Sequence, residues 1–276
     1  MTILPRPFFC IHVLSILFLA PVLAQAAPIE TQVVPRVTIE QRLRRFSRSN
    51  WTRATELRKI FEEAGCADRL SEQTVAPEVP PNVVCRLPGS TDSTIIVGAH
   101  SDLRGRGQGV LDDWSGAALL ASLFQALRGS IRQHTFIFVG FTAEEHHMKG
   151  SRFYVKQLNA AGVGKIRAMV NLDCIGAAST AVWTHHGDPK LLAILYDVGR
   201  EEHSAVRNVN LVRIYDDAMQ FRKGKIPTVS IHSLTGGTVR VLHSRRDTLS
   251  VIDLDQYYAS YRLIASYLAC LDSDLK

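Results

Sequence analysis

The stretch Thr94-Ile95-Ile96-Val97-Gly98-Ala99-His100-Ser101-Asp102 decides the fold. Its first six residues run on without polar alternation, the pattern of a strand buried on both faces. A polar triplet follows at once. The same grammar recurs downstream. Thr135 to Phe141 runs into Thr142-Ala143-Glu144-Glu145, and Ile166 to Leu172 runs into Asp173. Asn82–Leu87, Ala181–Thr184, Val209–Ile214 and Thr228–His232 read as further strands. Between them lie helical stretches: Gly116–Leu127, packed by Ala117, Leu119, Leu120, Leu123 and Leu127, then Ser151–Ala160, Lys190–Glu202 and a closing Leu254–Leu271. Thr38–Gly65 reads as one or two helices, with Gly65 as the stop. Strand and helix alternate, which predicts a single-domain α/β fold. The expected form is a three-layer α/β/α sandwich around a mixed, largely parallel sheet.

Composition agrees with a folded domain. Of 276 residues, 46% are hydrophobic and 21% charged, which excludes a disordered or collagen-like chain. The net charge is 32 − 26 = +6. The densest basic stretch holds Arg44, Arg45, Arg48, Arg53, Arg58 and Lys59, diluted by Glu40, Glu56, Glu62 and Glu63. That mixture reads as a solvated helix face, so no nucleic-acid partner is expected.

Residues 1–26 have one early charge (Arg6), an apolar run from Ile11 to Leu23, and Ala24-Gln25-Ala26. This is the order of a secretory signal peptide, and the apolar run is short for a membrane span. An uncleaved N-terminal anchor is the other reading. The expected mature chain is exported, periplasmic or secreted, without stable membrane association after cleavage. Residues 27–37 read as an extension. Past the signal, Cys66, Cys85, Cys174 and Cys270 remain, which allows three complete pairings. Cys66 and Cys85 flank a proline-bearing loop and are the pair to join; four free thiols is the alternative.

The chemistry gathers at strand ends, where ligands bind in such sheets. His100, Glu144-Glu145 and Asp173 each follow a strand. Asp112-Asp113-Trp114-Ser115-Gly116 precedes a helix, and His243 follows Thr238–Leu242. Two histidines and three carboxylates are what two zinc ions need, with one carboxylate bridging. Singly, each motif has a plainer meaning: a structural histidine, a helix cap, a solvated acidic pair. Their order together is hard to reach by chance.

The set resembles the di-zinc exopeptidases that include the secreted bacterial leucyl aminopeptidases, relatives of glutaminyl cyclases and glutamate carboxypeptidase II. The matching stretches are Ile95–Asp102, Asp112–Gly116, Ala143–Glu145, Gly150-Ser151, Asn171–Asp173, Gly224–Pro227 and His243 with Asp247-Thr248. The resemblance makes residues 38–276 the catalytic domain and implies two Zn²⁺ ions. Asp112 would bridge them, His100 and Asp173 would complete one site, and Glu145 and His243 the other. Asp102 would support His100. Glu144 would be the general base, Asp112-Asp113 would be joined by a cis bond, and Tyr215 falls where some members stabilise an oxyanion. The substrate implied is a peptide with a free N-terminus. One departure stands out: the family often has Ser-Asp-His where this chain has Asp216-Asp217-Ala218. Arg104, Arg106, Arg222, Lys223, Arg245 and Arg246 lie beside the ligands, either to greet a substrate carboxylate or as solvated charge. The rivals are a glutaminyl-peptide cyclase, an aminoacylase-like amidohydrolase and a non-catalytic binding module.

Overall fold

The structure, a computed structural model, describes residues 30–211 and 215–275. The expected signal peptide and part of the expected Val209–Ile214 strand lie outside them. No helix among the described residues is long and apolar enough to cross a membrane.

Among the described residues eight strands form one sheet: β1 (Leu70–Gln73), β2 (Asn82–Leu87), β3 (Thr94–His100), β4 (Thr135–Phe141), β5 (Ile166–Leu172), β6 (Ala181–Val182), β7 (Arg207–Asn208) and β8 (Thr228–His232). Their order is β1-β2-β4-β3-β5-β8-β6-β7. The centre, β4-β3-β5-β8, is parallel. β2 runs antiparallel to β4, β1 to β2 and β6 to β8, so the sheet is mixed as expected. The helices are α1 (Arg36–Leu43), α2 (Asn50–Glu63), α3 (Ser115–Leu127), α4 (Lys149–Gln157), α5 (Ala160–Lys165), α6 (Pro189–Glu201), α7 (Ala218–Lys223) and α8 (Leu254–Asp274).

The continuous apolar strands serve two cores, one on each face. Ile95, Val97 and Ala99 of β3 join Phe136 and Phe138 of β4 and Val170 and Leu172 of β5 in the larger core, under α1, α2, α3, α6 and α8. Ile96, Val139, Phe141 and Met169 point the other way, toward Tyr154 of α4 and Phe221 of α7. Period-two alternation thus survives, but both phases are apolar.

Several boundaries differ from expectation. The stretch Ser151–Ala160 is not one helix: α4 ends at Gln157, and Asn159 caps α5 by accepting from Gly162 N at 2.7 Å. The β6 strand holds two residues and β7 begins earlier than expected, at Arg207. Thr238–Val241 is a single 3₁₀ turn, so His243 leaves a loop and not a strand. Edge strand β1 was not legible, because Leu70-Ser71-Glu72-Gln73 has no alternation and is half exposed. Gly65 does stop α2, with φ +93°, and the Cys66 amide reaches back to Phe61 O at 2.9 Å. Cys66 and Cys85 form a disulfide with Cα atoms 6.2 Å apart, while Cys174 and Cys270 are free thiols.

Candidate metal and catalytic site

Parallel neighbours β3 and β4 end side by side, so His100 and the Glu144-Glu145 turn are delivered to one place. His100 pairs with Phe141 across the β3/β4 register. Asp173 begins the next turn, its amide bonded to Ile231 O at 3.0 Å. Asp112 arrives from a kinked turn, Val110–Trp114, whose Asp112-Asp113 bond is cis.

The five expected ligands meet there as two groups that share one residue. His100, Asp112 and Asp173 offer donor atoms within 4.8 Å of one another, and so do Asp112, Glu145 and His243. Asp112 Oδ1 lies 3.1 Å from His100 Nε2, and its Oδ2 lies 3.1 Å from His243 Nε2. Glu145 Oε1 lies 2.8 Å from His243 Nε2. Yet buried Glu145 Oε1 and His100 Nδ1 lack hydrogen-bond geometry to any partner. A buried carboxylate oxygen without a donor is costly, unless it faces a cation. The donor set, nitrogen and oxygen without thiolate, suits zinc. The residues present therefore fit the metals that the motifs imply.

A scaffold of acids holds these groups. Asp102 Oδ1 accepts from the Glu144 amide at 2.9 Å and Oδ2 from the Glu145 amide at 3.3 Å, and it lies 3.4 Å from His100 Nδ1. One carboxylate thereby ties the β3 end to the β4 end. Asp113 accepts from the amides of Gly116, Cys174 and His100, which draws α3, β5 and β3 together. Gly116 is needed here, since a Cβ would lie 2.6 Å from Asp113 Oδ2. Asp247 accepts from the amides of Leu111 and Asp112, and so fixes the shared ligand.

Crowded carboxylates shift one another. Burial, reinforced by Asp217, Asp173 and Glu145, pushes Glu144 up to about 10 despite His100. Burial also raises Asp173 to about 7. Burial would raise Asp112, but bonds from His100 and His243 hold it below the usual carboxylate range. The carboxylates of Asp112 and Glu145 beside it lift His243 to about 10. Positive charge is what this cluster lacks, and bound cations would reverse much of this pattern.

The groups floor a cavity of about 430 Å³. Leu234, Val239, Leu242 and Met148 give it an apolar wall, and Arg104 and Tyr215 stand on its rim. Tyr215 is 59% exposed. Of the histidines without an expected ligand role, His147 lines this cavity and His146, His185 and His186 are exposed. His232 is buried with both ring nitrogens engaged, by Val209 O and the Leu234 amide. At the departure from the family pattern, Ala218 packs in the second core. Asp216 and Asp217 are buried, and Asp216 accepts from Asn171 Nδ2 at 3.3 Å.

Arg53 corrects the sequence reading. It is not on a solvated face but 0% exposed. Its guanidinium donates to Ser101 O, to Gly109 O at 3.0 Å, to Gln108 O at 3.2 Å and to Ser47 O at 3.3 Å. It also lies 5.2 Å from the Trp114 ring centroid. Burial lowers it to about 10, which still leaves it charged at neutral pH. A signal was present: Arg53, Leu57 and Ile60 fall on one helical face.

A mixed sheet whose parallel centre carries two imidazole–carboxylate groups at its carboxyl end has the plan of a metal-binding α/β domain. The chain belongs to peptidase family M28, whose model matches residues 82–268. A probable leucine aminopeptidase of Trichophyton verrucosum is 23% identical over 240 residues, 77% of this chain and 62% of the relative. The chain spans less than two thirds of the length of such curated relatives. Among solved structures, the LapA aminopeptidase of Legionella pneumophila superimposes with a TM-score of 0.77 at 19% identity, covering 88% of this chain and 73% of that one. A glutaminyl cyclase from an Acidobacteriales bacterium gives 0.71 at 17% identity, covering 90% of this chain and 99% of that one.

Proposed function

We propose that this chain is an exported di-zinc aminopeptidase that hydrolyses the N-terminal bond of peptides. The observation that carries the reading is the pair of ligand groups sharing Asp112, with Glu144 beside them at the end of β4. His100, Asp112 and Asp173 would hold one zinc, and Asp112, Glu145 and His243 the other. Bound there, the metals supply Lewis-acid polarisation of the scissile carbonyl and a water acidified toward neutrality. Glu144 takes a proton from the attacking water and passes it to the leaving amine. Asp102 holds the Glu144 and Glu145 amides, so neighbouring glutamates keep separate tasks. The apolar wall of Leu234, Val239 and Leu242 seats the N-terminal side chain. Tyr215, at the rim, is assigned to the developing oxyanion.

The cyclase reading has one observation in its favour: this chain covers nearly the whole length of solved glutaminyl cyclases. Two complete ligand groups favour hydrolysis, because the cyclase branch is expected to work with a single zinc.

The test is zinc quantification joined to hydrolysis of aminoacyl chromogenic substrates, with a glutamine-starting peptide assayed for cyclisation. Two zinc per chain and chelator-sensitive hydrolysis are expected. Glu144→Gln should keep both zincs and lose at least about a hundredfold in kcat. One zinc with cyclisation and no hydrolysis would install the cyclase reading instead.

A further inference from the structure

Across a low ridge from the metal cavity lies a second hollow, of about 600 Å³. The ridge is two segments in contact, Arg104–Gln108 and His243–Asp247. Gly105 has φ +91°, and a Cβ there would lie 2.4 Å from His243 O; one at Gly107 would lie 2.4 Å from Ser244 O. Gln108 N also bonds Asp247 O at 2.6 Å. The tight turn at Gly105 sends neighbouring arginines to opposite sides. Arg104 lines the metal cavity, whereas Arg106 lines the second hollow with Arg48 and Arg245. His243 and Arg245 divide in the same way from the partner segment.

The second hollow has three guanidinium groups and no acid among its lining residues. Among the described residues none of Arg48, Arg104, Arg106 and Arg245 forms a salt bridge, while Arg36, Arg45, Arg58 and Arg262 all do. The nearest acids in sequence, Asp102 and Asp247, are buried and spend their oxygens on backbone amides, those of Glu144 and Glu145 and those of Leu111 and Asp112. Like charges gathered round one hollow repel, and an anion relieves that repulsion. Guanidinium forks match a carboxylate in particular.

We infer that Arg48, Arg106 and Arg245, with Arg104 at the ridge, form a carboxylate-binding rim for the part of the substrate beyond the scissile bond. The inference rests on the aminopeptidase reading and narrows it to peptides with a carboxylate just past that bond. The carboxylate is either the C-terminus of a di- or tripeptide or an acidic side chain. Every peptide substrate has a neutral amide at the cleaved bond, so the selectivity comes from this rim and not from the metal floor.

Two substrate pairs test it and separate the two sources. Leu-Gly-Gly against its C-terminal amide reads a terminal carboxylate. Leu-Asp-Gly-amide against Leu-Asn-Gly-amide reads a side chain. In at least one pair the carboxylate member should have about tenfold higher kcat/KM at low salt, and the gap should close as salt rises. The double variant Arg106→Ala/Arg245→Ala should bring the ratio to about one, and Arg106→Glu/Arg245→Glu below it. Equal rates within both pairs in the wild type would overturn the rim, and so would a ratio unchanged in both double variants. Calorimetric binding of the same peptides to zinc-loaded Glu144→Gln protein reads the rim without turnover. If the wild type cleaves no peptide, the aminopeptidase reading fails alone. Tighter binding of a carboxylate member then still supports the rim, and equal binding refutes it.

Discussion

Replacing Arg53 by alanine should be among the costliest single changes in the molecule. The side chain is wholly buried and donates to four backbone carbonyls, on Ser47, Ser101, Gln108 and Gly109. Those carbonyls belong to the segment entering α2 and to the loop between His100 and Asp112. Alanine leaves them without their donor. A hydrogen bond to a charged group contributes roughly 1.5–3 kcal/mol, though four on one group do not add in full. Breaking such a buried charged network typically costs about 3–5 kcal/mol. Near Tm, at about 2 °C per kcal/mol for a domain of this size, that is a fall of about 6–10 °C. The cation also faces Asp102, Asp112, Asp113 and Asp247, so its loss concentrates negative charge behind the ligands. Arg53→Lys keeps the charge but loses the fork, and should fall between wild type and alanine. The assay is urea denaturation of chelated and zinc-loaded protein, with zinc affinity measured in parallel. If both variants unfold within about 0.5 kcal/mol of wild type, the network does not carry the energy assigned to it.

His232 makes a pH prediction. Burial holds it neutral and lowers it from 6.5 to about 4, against the Val209 carbonyl, which raises it. Between those values the unfolded chain binds a proton that the folded chain refuses. Stability is therefore full above pH 6.5 and is lost as pH falls toward 4, by up to about 3 kcal/mol. His232→Gln should flatten that slope in denaturation series, and an unchanged slope would refute the assignment. The Cys66–Cys85 link closes a span of 19 residues. Chain entropy then predicts a loss of about 3 kcal/mol for the double serine variant, measured against oxidised wild type. Equal denaturation midpoints would show that the link contributes little.

The central strands β3, β4 and β5 and the candidate ligands were legible because each of these strands is a solid apolar run ended by a polar group. Thr135–Phe141 has the bounds that its sequence suggests. A parallel sheet turns such endings into neighbours, so His100, Glu145 and Asp173 converge without any long-range signal. His243 was legible only through the family pattern, since a 3₁₀ turn and not a strand delivers it. The burial of Arg53 is hidden in the sequence because its charge points to solvent. Its helical phase puts it with Leu57 and Ile60, and only the carbonyls of a distant loop make that burial tolerable. The amide-clamping role of Asp102 was equally hidden, because backbone donors leave no mark in side-chain spelling.

The disulfide and Arg53 have a joint consequence through α2. The helix has 14 residues, from Asn50 to Glu63, and so is about 21 Å long. Cys66, just past one end, is bonded to β2; Arg53, near the other, grips the loop beside the ligands. The helix is a strut fastened at both ends, one by covalent bond and one by charge. Tilting it strains one fastening or the other. A cystine on β2, the strand next to the sheet's edge, thus becomes a mechanical support for the loop that shapes the candidate metal pocket.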